Sequence, residues 1–449
     1  MDQIFSAADI GSAIQSALAP VFLLTAIAGL LNVLVHRLSR VVDRARHLEA
    51  NAAGFAADKR RIAIDDLAVL AAAEARWGAP YLTLHRADLQ RALVAEQLRP
   101  AGVEAGMDGD LGRLGALRDD ARARGGDVAD FEDGFAQRVR EAVARYGADR
   151  VGVFLGTSTA GILQTELAYR RRDPVSGALP DDFHYRTTHN AFSLAEFTRD
   201  YFGLEGMAMA ISTACSSSAK VFAAAARQLA LGQIDAAIVG GVDTLCLTTL
   251  YGFASLQLTS SQPCRPYDAA RDGISIGEGA AFALLERPDQ PAPGTALLLG
   301  AGESSDAYHM SAPHPQGLGA RLAMEAALRS AGLGASDIHY INLHGTATPP
   351  NDSAEGQAVS ALFGDTVPGN STKGYMGHTL GAAGAIEAII CAMALTDGRL
   401  PGSPGTGSLD PAIPIRYQLH GADAPLRHAL SNSFGFGGSN CSLVLGIAE

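Results

Sequence analysis

The sequence predicts an α/β fold in which one βαβ-like set of elements is followed by a second. Three observations carry that expectation. From Arg150 onward short apolar runs, bounded by Gly and small residues, alternate with longer runs of helical character. The alternation occurs twice, which points to internal duplication rather than a single doubly wound sheet. At 449 residues the chain is also long enough for two domains or one large layered unit.

In the first set, 151–155, 207–211, 236–239 and 280–285 read as buried strands, with a helix at 221–231. In the second, 340–343 reads as a strand, 353–362 and 384–395 as helices, and 442–445 as a terminal strand. Residues 51–148 are rich in Ala, Arg and Asp, with helical periodicity at 67–75 and 131–144 and a Gly-rich break at 102–115. The expected organisation is therefore an apolar helix with a basic flank at 1–50, an atypical, mostly helical stretch at 51–148, and the α/β region at 149–446.

The N-terminal helix is expected to cross a membrane. No charged residue occurs at 11–35, and the run 14–35 is long enough to span a bilayer. Arg37, Arg40, Arg44 and Arg46 follow it, whereas only Asp2 and Asp9 precede it, so the rest of the chain should face the cytoplasm, anchored to the inner face of the plasma membrane. A cleaved signal peptide would carry a positive first segment, which this chain lacks. The same stretch resembles a family of small uncharacterised bacterial membrane proteins. A buried core helix containing Gln15, Pro20 and Asn32 is the competing reading.

A net charge of −12, without a Lys/Arg run interleaved with aromatics, excludes nucleic acid as an expected partner. The five cysteines are widely spaced and form no C-x-x-C pair, so neither a disulfide framework nor a zinc site is indicated, and a reducing compartment is. No G-x-G-x-x-G follows a strand, which leaves no dinucleotide cofactor to expect.

Four segments carry chemistry. Met209-Ala-Ile-Ser-Thr-Ala-Cys215-Ser-Ser-Ser-Ala-Lys220 places a thiol where an apolar strand gives way to a helix, and unpaired N–H groups with the helix dipole there favour a thiolate. A lone free Cys is more often a buried structural residue. Leu343-His344-Gly-Thr346-Ala-Thr348-Pro-Pro-Asn-Asp352 delivers a histidine from a strand into a turn. Lys373-Gly-Tyr-Met-Gly-His378 places a second histidine five positions after a lysine, ahead of a small-residue helix. Asn432-Ser-Phe434-Gly-Phe436-Gly-Gly438-Ser-Asn440 is a Gly-rich loop whose N–H groups can face an oxyanion. Each histidine alone is ordinary; a thiol at a helix start with two loop histidines is not.

With these residues the region from about Arg150 to Gly446 resembles a β-ketoacyl-acyl carrier protein synthase of the elongating, Cys-His-His type, a condensing enzyme of the thiolase fold. The resemblance implies thiolase-like, duplicated α-β-α-β-α layers. It implies Cys215 as acyl-accepting nucleophile, and His344 and His378 as the pair that activates malonyl decarboxylation and stabilises the enolate. Lys373 corresponds to the family's active-site lysine, and Glu355, eleven residues after His344, to the acid that supports it. Phe436 corresponds to the gating phenylalanine, with Phe434 beside it, and its N–H joins that of Cys215 as oxyanion hole. Thr346 and Thr348 correspond to contacts with the phosphopantetheine arm of an acyl carrier protein, which carries the substrate; no separate cofactor and no metal are implied.

The implied partners are that carrier protein and a second subunit, either a copy of the chain or a related one. The run 161–172 with Thr188-His-Asn190 looks like the branch associated with aryl polyenes or related polyketide-like lipids, fatty-acid synthesis being the other pathway. The family's opening strand is missing from the residues read here, so the first half of the duplication is expected to be incomplete. A catalytically impaired, membrane-tethered partner or scaffold subunit is the alternative function.

Overall fold

The computed structural model describes residues 82–84, 135–288 and 290–449, all within a unit that spans 72–449. The expected membrane helix at 14–35, its basic flank, and the expectations for 67–75 and 102–115 lie outside the described residues. In chain order the first half comprises β1 (Leu82–Leu84), α1 (Phe135–Tyr146), β2 (Val151–Gly156), α2 (Ile162–Arg170), α3 (Ser193–Tyr201), β3 (Ala208–Ile211), α4 (Ser217–Ala230), β4 (Ala236–Asp243), α5 (Leu247–Ser255) and β5 (Gly279–Glu286). The second comprises β6 (Ala296–Ser305), α6 (Leu318–Ala331), β7 (Tyr340–Asn342), α7 (Pro349–Phe363), β8 (Gly369–Asn370), α8 (Ala383–Asp397), β9 (His428–Gly435) and β10 (Ser439–Ile447). The elements expected from 150 onward are all present, most of them extended by a few residues at their ends.

The strands form one ten-stranded sheet in the order β3-β2-β4-β5-β1-β6-β10-β9-β7-β8. Read outward from the centre, the halves are identical: β1-β5-β4-β2-β3 on one side and β6-β10-β9-β7-β8 on the other. Directions repeat as well. β2 is parallel to β3 and β4, as β7 is to β8 and β9, while β5 runs antiparallel to β4 and β1, as β10 does to β9 and β6. The duplication expected from the sequence is therefore a property of the sheet.

The expected gap in the first half is filled at the level of the strand. Leu82–Leu84 hydrogen-bonds between β5 and β6, antiparallel to each. Three residues are too few for an alternation to register, so no strand was legible there.

Helices α4 and α8, which follow β3 and β8, form the heart of the core. Ala219, Val221, Phe222, Ala225 and Leu229 of α4 are buried in one cluster with Ala385, Ile386, Ile389, Ala392 and Leu395 of α8. Small residues let the two helix starts approach: a Cβ on Gly384 would stand 2.6 Å from the Ala219 nitrogen. Leu380–Asp397 is apolar and long enough to cross a membrane, yet 78% of that window is buried, as befits a core helix.

Candidate active site

Cys215 sits on an elbow between β3 and α4. Ala214, just before it, is left-handed at φ 53°, a strained conformation for a residue with a Cβ. Two serines hold it there. The Ser217 hydroxyl accepts from the Thr213 N–H at 2.8 Å and donates to the Ala214 carbonyl at 2.6 Å, and the Ser216 hydroxyl donates to the Thr213 carbonyl at 3.0 Å. The thiol itself is buried.

His378 lies 3.0 Å from it, Nε2 to Sγ. Its backbone is fixed on both sides, with its N–H on the Ser275 carbonyl at 2.7 Å and its carbonyl accepting from the Gly277 N–H at 3.0 Å. His344, just beyond β7, meets His378 edge-on, with ring centroids 5.3 Å apart. The Sγ and one nitrogen of each ring fall within 4.8 Å of one another. The three residues singled out from separate parts of the chain thus converge on one point.

Glu355, on α7, accepts four hydrogen bonds: from the N–H groups of His344 and Gly345 at 2.8 Å each, the Tyr267 hydroxyl at 2.9 Å and the Asn432 amide at 3.1 Å. It fixes the backbone that carries His344. It is not the partner of Lys373, as the family resemblance implied; that carboxylate is Glu387 on α8, in a fully buried ion pair. The Lys373 ammonium also donates to the His344 carbonyl at 2.6 Å and faces His344 Nδ1 at 3.5 Å. An ammonium on Nδ1 demands a lone pair there, so the ring proton belongs on Nε2, aimed into the site.

Burial sets the protonation states. It pushes both histidines well below their usual range, helped by the Lys373 charge, so both rings are neutral at neutral pH. It pushes the Cys215 thiol up to about 12, against the pull of Lys373 and of the Phe436 N–H. The expectation of a resting thiolate is therefore corrected: desolvation outweighs the pull of Lys373 and the Phe436 N–H, and the resting pair is a neutral thiol beside a neutral imidazole. Burial also lifts Glu387 to about 7, although Lys373 opposes the rise.

Phe436 occupies the turn between β9 and β10. Its N–H reaches Cys215, and its exposed ring packs on Phe253 of α5 at 5.2 Å between centroids. Phe434 lies 5.7 Å from the His344 ring. Thr346 and Thr348 share a hydrogen bond of 2.8 Å between their hydroxyls and line the same cavity. That cavity takes in Cys215 and both histidines.

A Cys-His-His set at this spacing has the donors of a zinc site, but its surroundings oppose a dication. A ligating histidine normally gives its second N–H to an oxygen acceptor. Here His378 Nδ1 is buried without a partner and His344 Nδ1 faces an ammonium. Two residues escaped the sequence reading: Glu387 and Asp243, the latter at the end of β4. Each is the one acid in an otherwise apolar run, 383–395 and 236–243. That is the signal that could have found them.

A duplicated α/β sheet with a thiol and two histidines at its paired helix starts defines the thiolase-like condensing class. Residues 134–290 match the N-terminal domain of β-ketoacyl synthases and 295–406 the C-terminal domain, while 17–71 match a protein family of unknown function, DUF2721. The chain belongs to the β-ketoacyl synthase family. It is 42% identical over 261 residues to 3-oxoacyl-[acyl-carrier-protein] synthase 2 of Rhizobium meliloti, covering 54% of this chain and 61% of that protein. To the Staphylococcus aureus protein of the same name it is 32% identical over 311 residues, 66% of this chain and 77% of the other. Among solved structures it is similar to the ketosynthase ApeO in complex with its chain length factor ApeC from Xenorhabdus doucetiae. That similarity has a TM-score of 0.65 and 43% identity, over 70% of this chain and 78% of the other. The chain spans about three fifths of the Rhizobium protein's length, 61%.

Proposed function

We propose that this chain catalyses decarboxylative Claisen condensation between an acyl thioester and malonyl-acyl carrier protein. The observation that carries the reading is the 3.0 Å contact of His378 Nε2 with the Cys215 thiol, beside a His344 whose Nε2–H is turned into the site by Lys373. In the first half-reaction His378 takes the thiol proton as Sγ attacks the acyl thioester, and the carrier's thiol leaves with a proton. In the second, the malonyl carbon–carboxylate bond breaks and carbon dioxide departs, leaving an electron pair that becomes an enolate. The Nε2–H of His344 stabilises the enolate oxygen, joined by that of His378 when its ring carries the proton on Nε2. The enolate carbon attacks the acyl group on Cys215, the N–H groups of Cys215 and Phe436 hold the oxyanion, and collapse expels Sγ, which regains a proton. Thr346 and Thr348 line the path for the phosphopantetheine arm, and Phe434 and Phe436 border its inner end.

Retention of the thiol and both imidazoles favours this reading over an impaired scaffold subunit. The product belongs to fatty-acid or polyketide-like lipid synthesis. A second subunit, a copy or a chain-length-factor-like relative, fits the edge of the sheet at β3, where Met207 and the ring pair Phe197 and Tyr201 are exposed. The run at 14–35 anchors the chain to the inner face of the plasma membrane in this reading. Deleting residues 1–50 should move the protein from the membrane to the soluble fraction; a full-length chain soluble without detergent would end the anchor reading. Catalysis is tested by intact-protein mass spectrometry after incubation with an acyl-carrier protein. One acyl adduct that leaves on addition of malonyl-carrier protein is expected, and no adduct would refute the reading.

A further inference from the structure

The elbow at Cys215 has a counterpart in the second half. α4 begins at Ser217 and is preceded, three residues earlier, by left-handed Ala214; α8 begins at Ala383 and is preceded, three residues earlier, by left-handed Leu380, at φ 50°. Gly381 is therefore the positional equivalent of Cys215. The first elbow is held by the hydroxyls of Ser216 and Ser217. The second has Ala382 and Ala383 at those positions and cannot hold itself in the same way.

Its support comes from Asp243, a buried carboxylate at the end of β4. Oδ2 accepts the Gly381 N–H at 2.6 Å and the Ser158 hydroxyl, and Oδ1 accepts the Thr157 hydroxyl at 2.7 Å and the N–H groups of Ser158 and Thr159 at 2.7 and 2.8 Å. The fit leaves no space, since a Cβ on Gly381 would lie 2.7 Å from the Ser158 nitrogen and 2.8 Å from Oδ2. Oδ2 thus occupies, in the second half, the place facing the elbow N–H where the first half takes a substrate oxygen.

We infer that Asp243 is a positioning residue for His378: by pinning the Gly381 N–H it holds the strained Leu380 turn, and with it the histidine three residues earlier, at reach of the Cys215 thiol. The role rests on the condensation reading only in what His378 does once substrate is bound. Independently, the Asp243 charge pushes the Cys215 thiol upward, so removing that charge alone would make the thiol more reactive. The two effects have opposite signs.

The test is alkylation of Cys215 by iodoacetamide at pH 7, which needs no substrate and so stands or falls apart from the condensation reading. In Asp243→Asn one oxygen remains for the Thr157 side, and an amide opposes the Gly381 N–H. Alkylation should slow by on the order of tenfold, and kcat for condensation should fall similarly with KM within about twofold. Thr157→Val removes a donor from Oδ1 but leaves Oδ2 on Gly381, and should alkylate at the wild-type rate. Faster or unchanged alkylation in Asp243→Asn, or an equal loss in Thr157→Val, overturns the inference. Should Asp243→Asn fail to fold, Ser158→Ala withdraws the hydroxyl that donates to Oδ2 and itself accepts the Gly381 N–H at 3.2 Å, and is expected to slow alkylation about threefold; a wild-type rate would overturn the inference equally.

Discussion

The two halves of this molecule repeat one strand order but place different chemistry at the same point. After its third strand each half makes a left-handed turn and starts a small-residue helix, at Ala214 and α4 in one and at Leu380 and α8 in the other. The first elbow presents Cys215, braced from within by Ser216 and Ser217. The second presents Gly381, braced from outside by Asp243, and leaves the chemistry to His378 just ahead of it. Duplication supplies two matched helix starts at one point, and in the proposed reaction one carries the nucleophile and the other mounts the base.

Removing the nucleophile breaks this asymmetry most completely. Cys215→Ala should abolish acylation, followed by mass spectrometry with an acyl donor, because the other four cysteines are buried away from the cavity. Labelling in the variant equal to wild type would remove the division of labour between the halves.

The histidines come next. His344→Ala and His378→Ala should each lose malonyl decarboxylation by on the order of 10² or more, as for loss of an oxyanion donor. They should differ in acyl loading: His344→Ala should load Cys215 nearly normally, whereas His378→Ala, lacking the base at 3.0 Å, should load slowly but measurably. Identical loading in the two would mean that His378 does not serve the thiol. Carbon dioxide release and the rate of adduct formation separate the two steps.

Much of this site was legible in the sequence because its residues interrupt patterns. Cys215, His344, His378 and the Phe434–Gly438 loop each stand where an apolar run meets Gly, Ser or Thr, and local pattern exposes such junctions. What could not be read depends on pairing across the chain. Glu387 and Lys373 are fourteen residues apart and meet only because Ala383–Asp397 packs beside the turn that holds the lysine. Asp243 lies beyond the strand expected at 236–239, and its part depends on Gly381, 138 residues later. The resting state of the thiol was likewise misjudged from the helix start alone, since burial is a tertiary property and here it dominates.

A smaller perturbation probes the first elbow as Asp243→Asn probes the second. Ser217→Ala leaves the part-buried Thr213 N–H and Ala214 carbonyl without their shared hydroxyl, which should cost about 0.5–1.5 kcal/mol of stability. Acyl loading should slow together with it, while carbon dioxide release from malonyl-carrier protein, which depends on the other half, should change less. Urea denaturation and the two rate assays report these separately, and an equal loss in both rates would argue that the elbows act as one unit.

The smallest expected effect concerns Glu387, which shares its charge with Lys373 inside the second half. A carboxyl of this kind ordinarily titrates near 4.5 and burial raises it to about 7 in the folded protein, so the folded state holds this proton more tightly than the unfolded chain. Between those values the folded protein binds more protons, and by linkage this group's contribution to stability falls as pH rises through the window. His344 and His378, held low, contribute with the opposite sign up to their ordinary range, so the slope of the wild type alone is not diagnostic. Glu387→Gln removes only the acid's share. The stability gap between wild type and variant should therefore shift in favour of Glu387→Gln as pH rises from about 5 to 8, measured by thermal melting at each pH. A gap that stays constant across that range would mean that the Lys373 ion pair keeps Glu387 ionised throughout, and that the lysine reaches His344 with its charge already balanced.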